Sequence, residues 1–408
     1  MSDRTPGQDA AESDPTLGQS VLLVINGGSS SLKFAIFTIR APVKRLLTGR
    51  IERIGLGDAR MTVEGDLGAS DLVIEVPDHQ AAAGVLIGWL GDRISLTRIV
   101  AIGHRVVHGG GRHYRPERVT PGLLASLREI EIFAPNHLPG EIALIETLGR
   151  LDPDRTQVAC FDTGFHHDLP AVSRTLPIPW RLEKQGVRRY GFHGISYQYL
   201  LEELGRVAPA EASGRVILAH LGAGASMAAV KGGRPIDTTM AFTPAAGLMM
   251  GTRSGDIDPG LVDFLAQSEG MTIEGFHRMA TAESGLVGVS ETSSDLRDLL
   301  EREAADPRAA LAIDLFCYRA KLALGGLAAA LGGLDSLVFS AGIGEHSAPA
   351  RARICQGLEF LGIEIDPERN ARHAVTISTD GGAAAVHVIP TDEEAMIARA
   401  TAQFLTTP

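Results

Sequence analysis

Alternating apolar and polar stretches predict that strands and helices interleave along the whole chain. An apolar run, a turn of small residues and a second alternating run follow one another in VLLVINGGSSSLKFAIF, residues 21–37. This arrangement is typical of a β-hairpin. The same design returns in RVILAHLGAGASMAAV, residues 215–230, which indicates an internal duplication.

Three later segments extend this pattern. A helix is predicted over residues 309–331, and SLVFSAGIGE, residues 336–345, is a buried run that ends in glycines. Residues 392–405 are predicted to form a helix that Thr391 opens, with two glutamates in the first turn, where they favour the helix dipole. Interleaved strands and helices indicate an α/β fold of packed layers.

Length and composition set the number of domains and the size of the core. At 408 residues the chain is expected to form two domains, with the change near Phe165, where the strand-like QVACFD gives way to a loop. A composition of 44% hydrophobic and 21% charged residues allows a large core. The first 19 residues are mostly small, polar or acidic, so they are interpreted as a disordered tail rather than a signal peptide.

Charge and cysteine usage indicate which partners are disfavoured and which compartment is expected. The net charge of −11 disfavours binding to nucleic acid or to an anionic membrane, so an anionic substrate would need local arginines or a metal ion. Cys160, Cys317 and Cys355 are far apart and form no CxxC pair, which indicates neither a disulfide framework nor a zinc site. The apolar runs are shorter than the roughly 20 residues that span a bilayer. A cytoplasmic protein without a membrane partner is therefore expected.

Glycine-rich turns after buried strands are candidates for phosphate binding, because their backbone can point several N–H groups at an anion. One such turn is more often an ordinary hairpin turn, but this chain has two, and AGIGE follows a third buried run. Lys33, just after the first turn, could reach a phosphate or could face solvent. The P-loop and GxGxxG patterns are missing, which disfavours those nucleotide sites.

Polar residues at predicted strand ends are the candidates for chemistry. Arg105 in GHRVVHGGG and Arg253 in a long segment of little charge could each hold a carboxylate or phosphate, or could form a surface salt bridge. Asp162 follows an apolar run, where a strand would end at a cleft, although a helix cap is the alternative. His193 lies between an aromatic residue and a glycine, and a lone histidine is more often structural. The HHD of residues 166–168 is interpreted as a surface turn, because adjacent side chains would point apart.

Several motifs together resemble the acetate kinase family. INGGSSSLK, GHRVVHGG, FDTGFH, RRYGFHG, GLMMGTRSGDIDPG, AGIGE and PTDEE occur in the order and approximate spacing found in acetate kinases, from Val21 to near the C-terminus. Sugar kinases, Hsp70 chaperones and actin share the wider superfamily but typically carry an aspartate in the first hairpin. Asn26 at that position matches the carboxylate kinases instead.

The resemblance implies a fold of two duplicated actin-like, RNase H-like domains with the nucleotide in the cleft between them. After the tail of residues 1–19, the N-terminal domain is expected over residues 20–165 and the nucleotide-binding domain over residues 166–408. The last helix is a candidate for packing back on the first domain. The resemblance also implies a homodimer.

The implied activity is that of an ATP:acetate phosphotransferase, which reversibly forms acetyl phosphate and ADP by direct in-line transfer. Mg2+, with Mn2+ as a substitute, would be held by Asn26 and Glu393. The residues implied to contact ATP or ADP are Lys33, His220, Leu221, Gly222, Ala223, Gly224, Asp295, Leu296, Arg297, Gly342, Ile343, Gly344, Glu345 and His346.

The resemblance also implies which residues bind acetate and catalyse the transfer. Arg105 would bind the carboxylate, while Asp162, His193 and Arg253 would be catalytic. The residues implied to line or flank the acyl pocket are Val107, Asn136, His137, Phe192 and Pro244. A carboxylic acid with a pKa of about 4.5 is already ionised at pH 7, so Asp162 is expected to orient a metal-bound water or an arginine rather than act as a base.

Departures from the family pattern leave the substrate open. HLGAG replaces HLGNG, so Ala223 lacks an amide near the phosphates, and APNHLP replaces APLHNP, which puts Asn136 where an apolar side chain would line the acyl pocket. That amide is expected to favour acetate over longer acids. TDEE and GEH replace TNEE and GEN. The alternatives are a propionate or butyrate kinase and a non-catalytic ATP-gated binding protein on the same fold.

Overall fold

The computed structural model describes residues 20–28, 31–40 and 42–406, so the tail predicted over residues 1–19 lies outside the described part of the chain. The strands are β1 (Val21–Gly27), β2 (Ser31–Thr38), β3 (Arg45–Glu52), β4 (Ala59–Gly65), β5 (Ser70–Ile74), β6 (Ile99–Val106), β7 (Glu117–Arg118), β8 (Thr156–Phe161), β9 (Arg215–Leu221), β10 (Ala225–Lys231), β11 (Arg234–Thr238), β12 (Ser336–Ser340) and β13 (Ala385–Val388). The helices are α1 (His79–Gly91), α2 (Pro121–Glu129), α3 (Leu138–Leu151), α4 (Ala171–Arg174), α5 (Trp180–Glu183), α6 (Gly194–Val207), α7 (Pro209–Ala212), α8 (Leu261–Glu269), α9 (Ile273–Ala282), α10 (Gly285–Ser290), α11 (Leu296–Arg302), α12 (Pro307–Leu331), α13 (Ala341–His346), α14 (Ala348–Cys355), α15 (Pro367–Ala371) and α16 (Glu393–Thr406).

The strand order β3-β2-β1-β6-β8 of the first sheet is repeated as β11-β10-β9-β12-β13 in the second. Among the described residues, one sheet has the order β5-β4-β3-β2-β1-β6-β8-β7 and the other has the order β11-β10-β9-β12-β13. In each sheet three consecutive strands pair antiparallel, and the first of them also pairs in parallel with a later strand, β6 or β12. A second later strand, β8 or β13, then adds in parallel. This repeated order confirms the duplication predicted from the two hairpins.

Both predicted hairpins form. Val24 pairs with Ala35 in the first, and Leu218 pairs with Ala228 in the second. β1 is buried along its whole length. Helices on both faces of the sheet explain this burial, and they explain why the strand reads as a continuous apolar run rather than an alternating one.

Helices cover both faces of each sheet, and two of them meet between the sheets. α1 and α3 pack on one face of the first sheet, and α16 packs on the other. α12 and α6 cover the second sheet, and α6 also contacts α16. The last helix of the chain therefore packs on the first sheet. A Cβ at Gly103 of β6 would lie 2.3 Å from Thr401 Oγ1, so glycine is what lets α16 approach this strand.

Three local features differ from the prediction. α16 begins at Glu393, and Asp392 rather than Thr391 caps it, because Asp392 Oδ1 accepts a hydrogen bond from the backbone N–H of Ala395 at 2.9 Å. AGIGE forms the short helix α13 instead of a glycine turn. His166 is buried rather than in a surface turn, with its Nε2 3.1 Å from the carbonyl oxygen of Phe192.

Cys160, Cys317 and Cys355 are buried free thiols. Within the described ranges, every helix is too short or too polar to cross a bilayer.

Candidate active site

Three neighbouring parallel strands deliver polar side chains to one edge of the first sheet. Asn26 lies near the end of β1, Arg105 near the end of β6, and Asp162 directly follows β8. These strands are adjacent and parallel. The carboxyl ends of parallel strands open on a common crevice, which is where ligands bind in α/β folds.

A chain of polar contacts joins these residues to the start of α16. Arg105 Nη2 donates to Asp162 Oδ2 at 2.8 Å, and Arg105 Nε lies 4.0 Å from Glu393 Oε2. The same Glu393 oxygen accepts a hydrogen bond from Asn26 Nδ2 at 3.2 Å. Asp162 is fully buried and also accepts from the backbone N–H of His193 at 2.9 Å. Asp162 therefore fixes both Arg105 and the first turn of α6, while its catalytic role stays a prediction.

Three buried polar atoms in this region lack a hydrogen-bond partner: Arg105 Nε, Asp162 Oδ1 and Glu141 Oε1. Buried polar atoms are almost always paired, so a ligand, an ion or water is expected to complete the set. Asn26 and Glu393 supply amide and carboxylate oxygens, which Mg2+ prefers. Mg2+ usually binds through one or two carboxylates together with substrate phosphates. The residues present fit a divalent metal that binds with the nucleotide. Among the described residues, no group of three His, Cys, Asp or Glu side chains could hold a metal alone.

A second arginine approaches the site from the other half of the chain. Arg253 Nη1 donates to the carbonyl oxygen of Pro244 at 3.1 Å, and burial together with the nearby Arg105 charge lowers the pKa of Arg253. A Cβ at Gly224 would lie 3.4 Å from His193 Nε2 and 3.6 Å from Arg253 Nη1. The predicted phosphate turn of the second hairpin thus packs directly against His193 and Arg253.

His193 and His220 form a stacked pair, with ring centroids 4.1 Å apart. His193 Nδ1 lies 2.8 Å from Ser226 Oγ, and His220 Nδ1 lies 2.8 Å from Ser196 Oγ. Burial lowers the pKa of His220 to about 4 and, with the His220, Arg105 and Arg253 charges, lowers the pKa of His193 well below its usual value. Both rings are therefore neutral at pH 7. His193 takes a φ of 58°, which is uncommon for a residue with a Cβ and is a form of strain found at functional sites.

The residues expected around the acyl pocket include apolar side chains and one histidine. Val107 and Phe192 are buried in one hydrophobic cluster, and Pro244 is half-buried. Burial, together with the Arg105 and Arg253 charges, lowers the pKa of His137 to about 4.

Asn136, next to His137 in the chain, is exposed instead of facing this cluster. Its Nδ2 lies 3.4 Å from Nε2 of His277 on α9. The structure therefore differs from the expectation that this amide lines the acyl pocket, because the loop before α3 directs it outward.

The residues expected to hold the phosphates lie on the two hairpins. Lys33 is exposed on β2, directly opposite Asn26. Leu221 is buried, so only its backbone can face the cleft, whereas Ala223 is exposed. The backbone N–H of Gly222 donates to the Gly224 carbonyl at 3.1 Å and closes the turn.

The residues expected near the nucleoside differ in burial and in the elements that carry them. Asp295 caps α11 and pairs with Arg297 at 2.6 Å, whereas the Leu296 side chain is buried in the hydrophobic core and cannot contact a ligand. Gly342, Ile343 and Gly344 lie in α13. The Glu345 carboxylate accepts from backbone N–H groups, and His346 at the end of α13 is largely exposed.

Glu141 was missed by the sequence reasoning. Its side chain is only 4% exposed, and Oε2 accepts a hydrogen bond from the backbone N–H of Val107 at 2.9 Å. Burial raises the pKa of Glu141 to about 7, against the opposing effect of the Arg105 charge. In the sequence it looks like an ordinary acidic residue in a first helical turn, where such residues are common. Neither its position after residues 137–139 nor its neighbours in the sequence indicate that it is buried.

Comparison with known proteins gives consistent matches over almost the whole chain. A sequence model of the acetokinase family matches residues 21–399. The acetate kinase of Rhodopseudomonas palustris strain TIE-1 is 47% identical over 388 residues, which cover 93% of this chain and 97% of that protein. The crystal structure of Porphyromonas gingivalis acetate kinase superposes with a TM-score of 0.86 at 36% identity and covers 95% of this chain and 100% of that one. A propionate kinase from Francisella tularensis superposes with a TM-score of 0.90 at 34% identity and covers 94% of this chain and 100% of that one.

Proposed function

Because the chain belongs to the acetokinase family, we propose that it transfers the γ-phosphoryl group of ATP to the carboxylate of acetate by direct in-line displacement, giving acetyl phosphate and ADP. The chain is a kinase by this membership. The observation that carries the acceptor assignment is that Arg105 and Arg253, one from each half of the chain, both lie beside His193: Arg105 and the His193 N–H share Asp162, and His193 and Arg253 both lie against Gly224. Two guanidinium groups suit a reaction in which two anions meet, the carboxylate and the phosphoryl group.

The charge distribution supports transfer without a covalent intermediate. A loose phosphoryl transition state spreads negative charge over three equatorial oxygens, so positioned positive groups and hydrogen-bond donors stabilise it. Arg253 supplies a positive charge, and neutral His193 supplies a ring nitrogen, Nε2, on the same side of the phosphate turn. Asp162 orients Arg105 through its carboxylate and α6 through the His193 N–H. A carboxylate acceptor is already ionised, so no side chain has to remove a proton from it.

Mg2+ is the proposed metal, with Mn2+ as a substitute, and Asn26 and Glu393 are its proposed protein ligands. When bound, such an ion would neutralise part of the charge of the nucleotide phosphates. Lys33 is opposite Asn26 on the same hairpin, which favours a role in holding those phosphates. The nucleoside is assigned to the surface between the Asp295–Arg297 pair and α13.

The residues expected around the acyl group favour a small apolar acceptor. Val107 and Phe192 are buried, and the carbonyl oxygen of Pro244 accepts a hydrogen bond from Arg253. Acetate is the proposed substrate. Propionate is the runner-up, because a propionate kinase is among the similar structures.

The test is hydroxamate trapping of the acyl phosphate, with ATP, Mg2+ and a panel of acetate, propionate and butyrate. Acetyl hydroxamate should form only when ATP and the metal are both present, and acetate should give the highest kcat/KM. Higher kcat/KM with propionate would change the substrate assignment. ATP binding without any acyl phosphate would instead favour the ATP-gated binding protein.

A cytoplasmic homodimer is the proposed form of the enzyme. Three buried free thiols suit a reducing compartment. Apolar side chains exposed on α8 and α9, such as Phe264 and Ile273, would be covered by a second copy. Sedimentation equilibrium tests this, since a mass of a single chain at micromolar concentration would contradict the dimer.

A further inference from the structure

One carboxylate oxygen of α13, the helix proposed to lie near the nucleotide, contacts the turn that precedes α16. Glu345 Oε1 accepts hydrogen bonds from the backbone N–H of Ala341 at 2.7 Å, from the backbone N–H of Thr391 at 3.2 Å and from Ser340 Oγ at 3.4 Å. Ala341 has a φ of 62°, a conformation that a residue with a Cβ rarely adopts. The Glu345 carboxylate therefore anchors a strained turn between β12 and α13 and joins it to Thr391.

The side chain of Thr391 makes the second connection. Thr391 Oγ1 lies 2.8 Å from Ser196 Oγ, and Ser196 Oγ lies 2.8 Å from His220 Nδ1. His220 stacks on His193. A continuous chain of hydrogen bonds thus runs from α13 through Thr391 to the stacked histidines.

Thr391 is also only two residues from the proposed metal ligand. Asp392 caps α16, and Glu393 in the first turn accepts a hydrogen bond from Asn26. Since Asp392 caps α16 and Glu393 begins it, the position of Thr391 constrains where the Glu393 carboxylate lies. The turn is the one place where α13, the stacked histidines and the metal-binding end of α16 are connected through hydrogen bonds of the described residues.

We propose that Thr391 and Glu345 are positioning residues: together they hold Glu393 and His220 in fixed relation to the nucleotide turn, and so link metal binding to nucleotide binding. This inference rests on the proposed function, because Glu393 is a metal ligand only within it. It also changes the expected role of Glu345. The Oε1 atom accepts from three protein donors, so Glu345 acts at least through Ala341 and Thr391.

The experiment measures ADP binding by calorimetry, once with Mg2+ and once with EDTA, beside kcat and KM. Thr391→Val keeps the shape of the side chain and removes Oγ1. Thr391→Ser keeps the hydroxyl, and Thr97→Val makes the same change at an exposed position before β6, at the opposite end of the sheet. Glu345→Leu removes the acceptor, whereas Glu345→Gln keeps an acceptor oxygen.

One lost hydrogen bond changes an equilibrium by about three- to tenfold. The gain in ADP affinity on adding Mg2+ should fall by about that factor in Thr391→Val and by at least that factor in Glu345→Leu. ADP affinity in EDTA should stay within about twofold of wild type in Thr391→Val, and kcat should fall more than the KM for acetate rises. Thr391→Ser, Glu345→Gln and Thr97→Val should remain near wild type.

Two results would overturn the proposal. One is a wild-type Mg2+ effect in Thr391→Val, and the other is a Glu345→Leu enzyme that loses ADP affinity equally with Mg2+ and with EDTA. If Thr391→Val fails to fold, Ser196→Ala removes the same hydrogen bond and must reduce the Mg2+ effect. The proposed function is judged separately, by whether the wild-type protein forms acetyl hydroxamate at all.

Discussion

The two arginines of the site differ in how their charge is balanced. Arg105 is 14% exposed and lies beside the carboxylates of Asp162 and Glu393, so the protein neutralises it. Arg253 is half-buried, donates to a carbonyl oxygen, and has no carboxylate within ion-pair distance among the described residues. A cation in a partly desolvated site needs a counter-charge. A bound anion would supply it, which is why we propose that Arg253 meets the charge that develops during transfer.

Replacing Arg253 should therefore affect the chemical step more than binding. We expect Arg253→Ala to lower kcat by at least about 100-fold, which corresponds to roughly 3 kcal/mol of transition-state stabilisation, with little change in ATP affinity. Steady-state kinetics and ATP titration measure the two effects. Arg253→Lys is the control, because it keeps the charge but loses the planar fork and should recover only part of the rate. A wild-type kcat in Arg253→Ala would remove this residue from the mechanism.

Asn136 gives a test of the acyl pocket. Its amide is exposed and directed at His277, so Asn136→Leu should leave the propionate-to-acetate ratio of kcat/KM unchanged. If the amide lined the pocket, each extra CH2 placed against the new leucine would gain up to about 0.8 kcal/mol and the ratio would rise severalfold. Such a rise, measured with both acids, would contradict the outward position.

Glu141 should make stability depend on pH. Its pKa is raised to about 7, above the 4.5 of an ordinary glutamate, so the folded state holds this proton more tightly than the unfolded chain. The stabilisation is complete below pH 4.5 and is lost as the pH rises through about 7, a change of about 3 kcal/mol. Glu141→Gln keeps an acceptor for the Val107 N–H but cannot ionise. Relative to wild type, its free energy of unfolding should therefore rise between about pH 5 and about pH 8. Urea titrations at both pH values measure this, and a pH-independent difference would mean that Glu141 is not protonated in the fold.

Individual residues were predictable from sequence where a motif fixed them at a strand end. Asn26, Arg105 and Asp162 follow three apolar runs, and the topology of a parallel sheet brings such positions together. Asn136 and Glu141 lie instead in and just after the loop before α3, where neighbouring positions face opposite environments. Local pattern does not show which of the two side chains turns inward, because that depends on the packing of α3 against the sheet.

At the scale of elements, long apolar runs and strong helix patterns gave the two hairpins, α12 and α16. AGIGE was different: glycines favour a turn, yet the Glu345 carboxylate and the buried Arg351 hold the segment as a helix. Arg351 Nη1 donates to the carbonyl oxygens of Gly344 and Glu345 at 2.8 and 2.9 Å. Arg351 lies on α14, and Glu345 also accepts a hydrogen bond from Thr391 in the turn before α16, so the glycines of the segment alone do not predict α13. The structure of residues 239–260 is likewise not predictable from local pattern, since they form no helix or strand but bury Met240 and Met250.

The packing of α16 on β6 can be tested at Gly103. A Cβ there would lie 2.3 Å from Thr401 Oγ1 and 2.6 Å from Ile397 Cγ2, so Gly103→Ala must push the helix away from the strand. We expect a loss of about 1–3 kcal/mol of stability. Gly326→Ala is the matched control, because a Cβ at this exposed position of α12 meets nothing within 4 Å. That variant should gain about 0.5–1 kcal/mol. Thermal unfolding of both proteins gives the comparison, and equal effects would show that α16 packs less tightly than described.

At the scale of the molecule, the residues of the candidate site come from both sheets. Asn26, Arg105 and Asp162 belong to the first sheet, whereas His220 lies on β9 of the second and Arg253 follows β11. α16 adds a covalent route between them, because it follows β13 of the second sheet and packs on the first. A ligand that contacts both groups should therefore stabilise the two sheets as one unit, although the boundary near Phe165 stays a prediction.

Calorimetric unfolding with and without ligand tests this coupling. ATP with Mg2+ binds the folded protein and not the unfolded chain, so at a free concentration of about 100 times Kd it should add about 2.7 kcal/mol of stability. If the nucleotide contacts both halves, every resolved unfolding transition should move to higher temperature, and separate transitions should approach one another. ATP in EDTA should stabilise less, because the proposed metal ligands Asn26 and Glu393 would then make no contact with a bound ion. An upward shift of only one transition, with the other unchanged, would place the nucleotide in a single half and contradict a cleft shared by both sheets.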